Sequence, residues 1–173
     1  MRALLANQAP SIQFNQALTK QVLASWPFQL TDDQRRCAWQ ILQDLSHEQP
    51  MLRLLQGDVG SGKTAVAMLA MLNVAVGGYQ VALLAPSEVL ASQHFQSLVQ
   101  AIGQHCSIGL LTRTQQAFSQ SGQVIDKITK VKLISQIASG DCQLVIGTQA
   151  LLQEKISFHH LALLVVDEQQ RFG

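Results

Sequence analysis

The chain has 173 residues, of which 47% are hydrophobic and 13% charged, and its formal net charge is +1. This length favours one domain with a sizeable core, and the balanced charge neither requires nor excludes a nucleic-acid partner. No signal-peptide pattern, CxxC pair or apolar stretch of membrane-spanning length occurs. These features argue against a disulfide scaffold, a zinc ribbon and a membrane protein, and they predict a cytoplasmic protein.

The first predicted elements are helices. Residues 12–25 have an amphipathic pattern that ends at the Trp-Pro pair 26–27, because proline disfavours helical backbone in the preceding residue. Thr31 is a predicted N-cap, with two aspartates in the first turn of a helix that runs towards residue 46. The predicted buried face of this helix carries Cys37, Ile41, Leu42 and Leu45.

Strands and helices alternate in the rest of the chain. Strands are predicted at residues 51–55, 80–85, 107–111, 144–147 and 161–166. Helices are predicted from Lys63, from a cap at Ser87 to about residue 102, and at 128–138. The strand runs are short, apolar and not alternating, so we expect strands that are buried on both faces. This pattern is typical of an α/β fold with a parallel sheet flanked by helices on both faces. A stretch rich in Gln and Ser, residues 114–122, is predicted to be a surface loop.

The strongest motif is Gly57-Asp58-Val59-Gly60-Ser61-Gly62-Lys63-Thr64, which matches G-x-x-x-x-G-K-[ST] in full. Glycines let backbone N–H groups point at phosphate oxygens, and the following helix N-terminus favours negative charge. Lys63 would contact the β- and γ-phosphates of ATP, and the Thr64 hydroxyl would ligate Mg²⁺. The competing interpretation is an ordinary glycine-rich turn, which the complete match disfavours.

Two carboxylates end the last predicted strand. Asp167 would hold Mg²⁺, directly or in its second shell, and Glu168 would orient and deprotonate the attacking water. Alone, such a pair could be a solvated turn or a helix N-terminus. Together with the phosphate loop, it predicts hydrolysis of ATP.

A third signal precedes the phosphate loop. Phe28 and Gln34 flank the predicted N-cap at Thr31. A glutamine amide can pair with the edge of adenine and an aromatic ring can stack on the base, so both residues are candidate adenine contacts. The alternative interpretation is an N-capped helix with no ligand.

Four blocks of the sequence resemble motifs I, Ia, Ic and II of RecG, the bacterial superfamily 2 helicases that remodel stalled replication forks. These blocks are residues 57–64, 85–94, 145–154 and 167–173. The motor of the transcription-repair coupling factor is the related alternative. The resemblance implies a RecA-like P-loop fold, with residues 1–27 as a linker helix and residues 28–173 as the N-terminal ATP-binding lobe.

The resemblance also implies contacts with branched, single-stranded or double-stranded DNA. The residues concerned lie in strand-end loops: Pro86, Ser87, Thr148 and Gln149. Ser87 could equally serve as a helix N-cap, and the two roles are compatible. The family usually has histidine at the positions of Gln149 and Gln170, so the coupling between ATP and DNA is left open.

Motif III of the family does not follow motif II, and neither a second RecA-like lobe nor the N-terminal wedge domain is found. We therefore expect a fragment of a helicase that remodels stalled forks and Holliday junctions in recombination and repair, nearly inactive alone. The alternative is a self-sufficient P-loop ATPase or nucleotide-dependent switch that needs no second lobe.

Overall fold

The computed structural model describes residues 8–58, 60–125, 127–149, 151 and 156–168. The chain divides into two compact units, Met1–Asn73 and Val74–Gly173. Among the described residues, the first unit contains α1 (Gln16–Ser25), α2 (Asp32–Leu45) and most of α3 (Lys63–Val76). The second unit contains the remaining elements, and the boundary falls within α3.

Side-chain caps determine where the first two helices begin. Asn15 Oδ1 accepts a hydrogen bond from Leu18 N at 3.0 Å, so α1 begins after it and later than predicted. Thr31 caps α2 as predicted, because its hydroxyl accepts a bond from Gln34 N at 3.3 Å. Gln34 Oε1 accepts in return from Thr31 N at 2.8 Å. This reciprocal capping box satisfies two N–H groups that a helix leaves unpaired.

Both α2 and α3 bury apolar side chains. α2 buries Ala38, Ile41, Leu42 and Leu45. Three of these were predicted, whereas Cys37 is only half-buried. The buried Asn73 of α3 donates to the Thr19 hydroxyl and the Leu69 carbonyl, and it accepts from Asn15 N. Its satisfied amide therefore joins α1 to α3.

No helix among the described residues combines the length and apolar character needed to cross a bilayer.

The predicted strand at residues 51–55 is wrong. This run is irregular, and Leu52 and Leu54 are 85% and 68% exposed. A strand needs a neighbour that pairs with its backbone groups, and the run joins none of the ladders among the described residues. Apolar composition indicates a tendency to form a strand but supplies no partner. Arg53 of this run instead donates to the Asp44 carboxylate of α2, with Nε at 2.9 Å from Oδ2.

Six strands form one sheet in the described part of the second unit. They are β1 (Gln80–Leu84), β2 (Ile108–Leu111), β3 (Gln116–Gln120), β4 (Gln123–Ile125), β5 (Leu144–Gly147) and β6 (Leu161–Val166). Their order is β4-β3-β2-β5-β1-β6. The predicted parallel arrangement is confirmed for β2, β5, β1 and β6. α4 (Glu88–Ile102) connects β1 to β2, and α5 (Lys130–Ser139) connects β4 to β5.

The predicted loop at residues 114–122 is also wrong, because most of it forms β3 and the turn of an antiparallel hairpin with β4. Ser121 and Gly122 have φ angles of 51° and 74°, which are typical of a two-residue type I′ turn. Phe118 and Ser119 of β3 are buried. Polar composition therefore concealed a strand whose partner, β2, supplies its hydrogen bonds.

Burial differs along the sheet. β1, β2 and β5 are completely buried, as predicted, and Leu133 and Ile137 of α5 pack in one cluster with Leu111 and Val145. β6 lies at the edge, and the expectation that it is buried on both faces is wrong for Leu161, Leu164 and Val166, which are exposed.

One buried amide connects β1 to α5, to the loop after it and to the segment that precedes β6. Gln80 Nε2 donates to the carbonyls of Ile137 and Cys142, both at 2.8 Å. Its Oε1 accepts from the backbone N–H groups of His159 and His160 at 2.7 and 3.0 Å. A buried amide is stable only when bonded in this way, so Gln80 has a structural role that no sequence motif predicts.

Candidate functional site

The phosphate-loop motif forms a turn that leads directly into α3. Gly60 and Gly62 have φ angles of 80° and 77°, in the left-handed region that glycine adopts without strain. α3 begins at Lys63, so the loop meets a helix N-terminus, where unpaired N–H groups and the helix dipole favour anions. Val59 lies outside the described residues. The described part of the loop thus has the backbone form that suits phosphate binding.

The Lys63 ammonium lies against the loop backbone. Its Nζ donates to the Gly57 carbonyl at 2.6 Å and to the Asp58 carbonyl at 2.8 Å. These bonds occupy two of the three donors of an ammonium group, which leaves capacity for a phosphate oxygen. Thr64 follows in the first turn of α3 and is exposed. The side chains predicted to contact the phosphates and to ligate Mg²⁺ therefore begin the same helix.

Gln34 connects α2 to the phosphate loop. Besides the capping bond, its Nε2 donates to the Ser61 carbonyl at 2.8 Å. A Cβ at Gly62 would lie 2.3 Å from the same nitrogen, so any larger residue would have to displace the Gln34 amide. The amide retains a second hydrogen and a second oxygen lone pair, which adenine recognition would use. Phe28 is 50% exposed, and its ring centroid lies 5.2 Å from that of Trp26.

Asp167 and Glu168 directly follow β6. Asp167 N donates to the Leu84 carbonyl at 2.9 Å, which continues the pairing with β1. The Asp167 side chain is 35% exposed, and its Oδ2 lies 2.7 Å from His94 Nε2 in α4. Glu168 has a φ of 48°, a left-handed conformation that costs a non-glycine residue about 1–2 kcal/mol. Such strained residues concentrate at functional sites.

The two loops predicted to contact DNA leave neighbouring strands. Leu84 of β1 pairs with Gly147 of β5, so both strands end at the same level. The predicted contact residues follow these ends: Pro86 and Ser87, and Thr148 and Gln149. In each pair one residue is exposed and the other is half-buried. The register therefore places both loops on one edge of the sheet.

Ser87 has the cap role that was predicted as compatible with a phosphate contact. Its Oγ accepts a hydrogen bond from Leu90 N at 3.3 Å and starts α4. The adjacent Glu88 carboxylate accepts a hydrogen bond from the Thr114 hydroxyl. This bond connects the start of α4 to the loop between β2 and β3, where Arg113 is exposed.

Motif Ia contains His94, but no sequence pattern predicts its contact with Asp167. The buried stripe of α4, with Ala91, Phe95 and Leu98, places residue 94 at the margin of the packed face. Its partner becomes apparent only when β6 is known to lie beside β1. Gln170, where the family usually has histidine, lies outside the described residues.

The chain is similar to helicases along nearly its whole length. The model of the DEAD/DEAH box helicase family matches residues 31–173. The ATP-dependent DNA helicase RecG of Mycobacterium tuberculosis is 43% identical over 173 residues, which cover 98% of this chain and 23% of that protein. RecG of Synechocystis sp. is 45% identical over 148 residues, which cover 85% of this chain and 17% of that protein.

A solved structure of RecG bound to a three-way DNA junction is similar in fold. It matches with a TM-score of 0.85 at 36% identity, over 99% of this chain and 22% of that chain. The resemblance to RecG and the predicted RecA-like P-loop fold are thereby confirmed. The chain spans less than a quarter of the length of these relatives.

Proposed function

Because this chain belongs to the DEAD/DEAH box helicase family, we propose that it is the ATP-binding motor lobe of an ATP-dependent DNA helicase. Residues 28–173 form the lobe, and residues 1–27 lead into it. The observation that carries the proposal is the phosphate loop, with left-handed Gly60 and Gly62 before α3 and the Lys63 ammonium against its backbone. The similarity to proteins named ATP-dependent DNA helicase supports it.

ATP binds with its phosphates on residues 57–64. The backbone N–H groups at the start of α3 and the Lys63 ammonium attract the β- and γ-phosphates. Gln34 and the exposed ring of Phe28 contact the adenine. The bond from Gln34 to Ser61 supports this role, because it holds the Gln34 amide beside the loop that binds the phosphates of the same nucleotide.

Mg²⁺ accompanies the ATP. The ion prefers oxygen ligands, and it is usually held by one or two protein groups together with phosphates. Thr64 offers an exposed hydroxyl, and Asp167 offers a carboxylate that is 35% exposed, so both donors are of the right chemical class. The ion would neutralise charge on the phosphates. Glu168 orients the attacking water and accepts its proton.

Branched DNA is the proposed nucleic-acid partner, because the chain is 36% identical to a RecG that was solved on a three-way junction. The exposed Ser87 and Gln149, with Pro86 and Thr148 beside them, contact the phosphate backbone. Contacts of this kind position a protein on DNA but carry no sequence information. A helicase lobe that remodels many sequences needs contacts of this type.

A second RecA-like lobe and an N-terminal wedge domain complete the proposed motor. The relatives are more than four times as long as the matched region. In related phosphoryl-transfer enzymes an arginine supplied from a facing domain increases the rate by about 10³–10⁵. We therefore expect slow hydrolysis by these 173 residues alone. The proposed compartment is the cytoplasm, whose reducing conditions suit the three free cysteines.

Calorimetric titration with MgATP tests the phosphate site. Lys63→Ala should lower the affinity by at least about tenfold, because a bond to a charged group contributes about 1.5–3 kcal/mol. Lys20→Ala, which removes an exposed lysine from α1, serves as the matched control and should bind as the unchanged chain does. Equal affinity in the Lys63 variant would overturn the assignment.

Comparison of ATP with GTP tests the adenine contacts. Gln34→Ala should reduce the preference for ATP, since adenine presents an N6–H donor beside the N7 acceptor, which an amide can pair with, whereas guanine presents two acceptors there. A chain that binds both nucleotides equally, before and after the substitution, would remove the adenine role. Vigorous hydrolysis stimulated by forked DNA in this chain alone would instead favour a self-sufficient ATPase.

A further inference from the structure

His94 and Asp167 meet because of the strand order. β6 pairs with β1, and Leu84 and Val166 are partners at the ends of these strands. Asp167 follows β6, whereas α4, which carries His94, follows β1. The two side chains are 73 residues apart in sequence, yet Nε2 of the imidazole lies 2.7 Å from Oδ2 of the carboxylate.

The hydrogen bond has a defined direction. A carboxylate has no hydrogen to donate, so the Nε2–H of His94 donates to Asp167 Oδ2. Asp167 is also fixed at its backbone, where its N–H donates to the Leu84 carbonyl at 2.9 Å. The residue is therefore held at two points, and the bond to the imidazole occupies only one of the two carboxylate oxygens.

Burial makes this contact more than a surface ion pair. Exposed pairs contribute little, because water and salt screen them and both side chains remain mobile. His94 is only 15% exposed, whereas the Asp167 side chain is 35% exposed. The imidazole is thus held by packing while the carboxylate still reaches solvent, an arrangement in which the histidine sets the orientation of the acid.

We propose that His94 is a positioning residue that orients the Asp167 carboxylate towards Mg²⁺. The inference rests on the proposed function, in which Asp167 serves the metal. Partners that hydrogen-bond a metal-ligating group fix its orientation, and their removal typically costs about 10–100-fold in metal affinity. The His94 side chain does not contact the metal in this proposal; it acts only through Asp167.

Substitutions can separate the hydrogen bond from the bulk of the ring. In Gln the amide nitrogen is as many bonds from Cβ as Nε2 is in His, so His94→Gln can keep the bond. In Asn the amide nitrogen corresponds to the other ring position, so His94→Asn cannot reach. His94→Ala removes the group altogether. Gln96→Ala, at an exposed position of the same helix, is the matched control.

Binding of Mn²⁺ to the full chain with ATP, followed by electron paramagnetic resonance, measures metal affinity without requiring hydrolysis. We expect His94→Ala and His94→Asn to weaken Mn²⁺ binding by about tenfold or more, and His94→Gln to restore it substantially. Metal-free binding of ATP in EDTA should be unchanged in all three variants. Thermal unfolding without ligand shows whether each variant is folded.

The outcomes distinguish the two proposals. If the unchanged chain binds ATP and Mn²⁺, and a folded His94→Ala variant binds Mn²⁺ equally well, the positioning role is wrong while the proposed function stands. The positioning role is also wrong if His94→Gln binds Mn²⁺ as weakly as His94→Ala does. If the unchanged chain binds no ATP, or Lys63→Ala binds it normally, the proposed function falls and the role of His94 falls with it.

Discussion

The proposed chemistry has two parts, and these parts are built differently. One is the phosphate loop in the first unit, and the other is the end of β6 in the second. The loop consists of neighbouring residues, and its bond to Gln34 spans 27 positions. Asp167 depends on contacts with Leu84 and with His94, the latter 73 positions away. One site is therefore defined mainly by local sequence and the other by strand register.

Two glutamines show the same contrast. Gln34 forms its bonds at the surface, with Thr31 and Ser61. Gln80 is 2% exposed and forms four bonds to backbone groups of β1's neighbouring segments. Loss of a hydrogen bond costs most when its partner is left buried and unpaired. Gln80 should therefore contribute more than Gln34 to the stability of the fold. Gln34 should contribute more than Gln80 to nucleotide binding.

Replacement of Gln80 should have the largest effect. In Gln80→Leu the buried Cys142 carbonyl loses its side-chain donor and the N–H groups of His159 and His160 lose their acceptor, and each unsatisfied group costs about 1–3 kcal/mol. We expect urea unfolding to show a loss of about 2–5 kcal/mol. Gln34→Leu, with exposed bonds, should lose about 1 kcal/mol. Equal losses of unfolding free energy in the two variants would show that burial does not determine how much these bonds contribute to stability.

Alanine at Gly62 should have the next largest effect. Both Gly60 and Gly62 have left-handed φ angles, so alanine costs about 1–2 kcal/mol at either position. Only at Gly62 does the new Cβ meet the Gln34 amide, at 2.3 Å, whereas the space at Gly60 is open. Calorimetry with ATP should therefore show a greater loss in Gly62→Ala than in Gly60→Ala. Identical losses would mean that the contact with Gln34 does not shape the loop.

Local patterns predict much of this molecule. The N-caps at Thr31 and Ser87, the start of α3 at Lys63 and the buried β1, β2 and β5 follow from residues close together in sequence. The phosphate-loop motif belongs to the same class, since each of its residues acts on its neighbours.

Features that depend on a distant partner escape such patterns. Residues 51–55 have the composition of a strand without a ladder, whereas β3 has the composition of a loop and acquires a ladder from β2. The bonds of Gln80 and the contact between His94 and Asp167 likewise require the strand order. Composition describes what a segment can do, and tertiary context decides whether it does so.

Two threonine N-caps, one in each unit, allow the same comparison with a smaller expected effect on stability. Thr31 accepts from Gln34 N in the first unit, and Thr129 accepts from Lys132 N in the second, both at 3.3 Å. Alanine at either position should cost about 1 kcal/mol by urea unfolding. Thr31→Ala should also weaken ATP binding, because the capping box holds Gln34, whereas Thr129→Ala should leave it unchanged. Weaker ATP binding in both variants would indicate that general stability controls affinity.

Thiol labelling should reveal the smallest difference, with no change to the sequence. Cys37 in the first unit is half-buried, whereas Cys106 and Cys142 in the second are buried. Burial raises the pKa of the Cys106 thiol from 9.0 to about 12 and raises that of Cys142 as well. The thiolate is the reactive form, so at about pH 8 we expect Cys37 to react first with a disulfide reagent.

Cys106 and Cys142 should react with the reagent only at urea concentrations that unfold the second unit. Because the pKa of Cys106 is higher in the folded chain, its neutral thiol contributes stability below pH 9.0, and this contribution is lost as the pH rises through about 12. The urea concentration at which Cys106 and Cys142 react should therefore fall as the pH rises above about 9. Mass spectrometry of the labelled peptides measures this order. Early labelling of Cys106 in the native chain would contradict the burial of this thiol in the folded second unit.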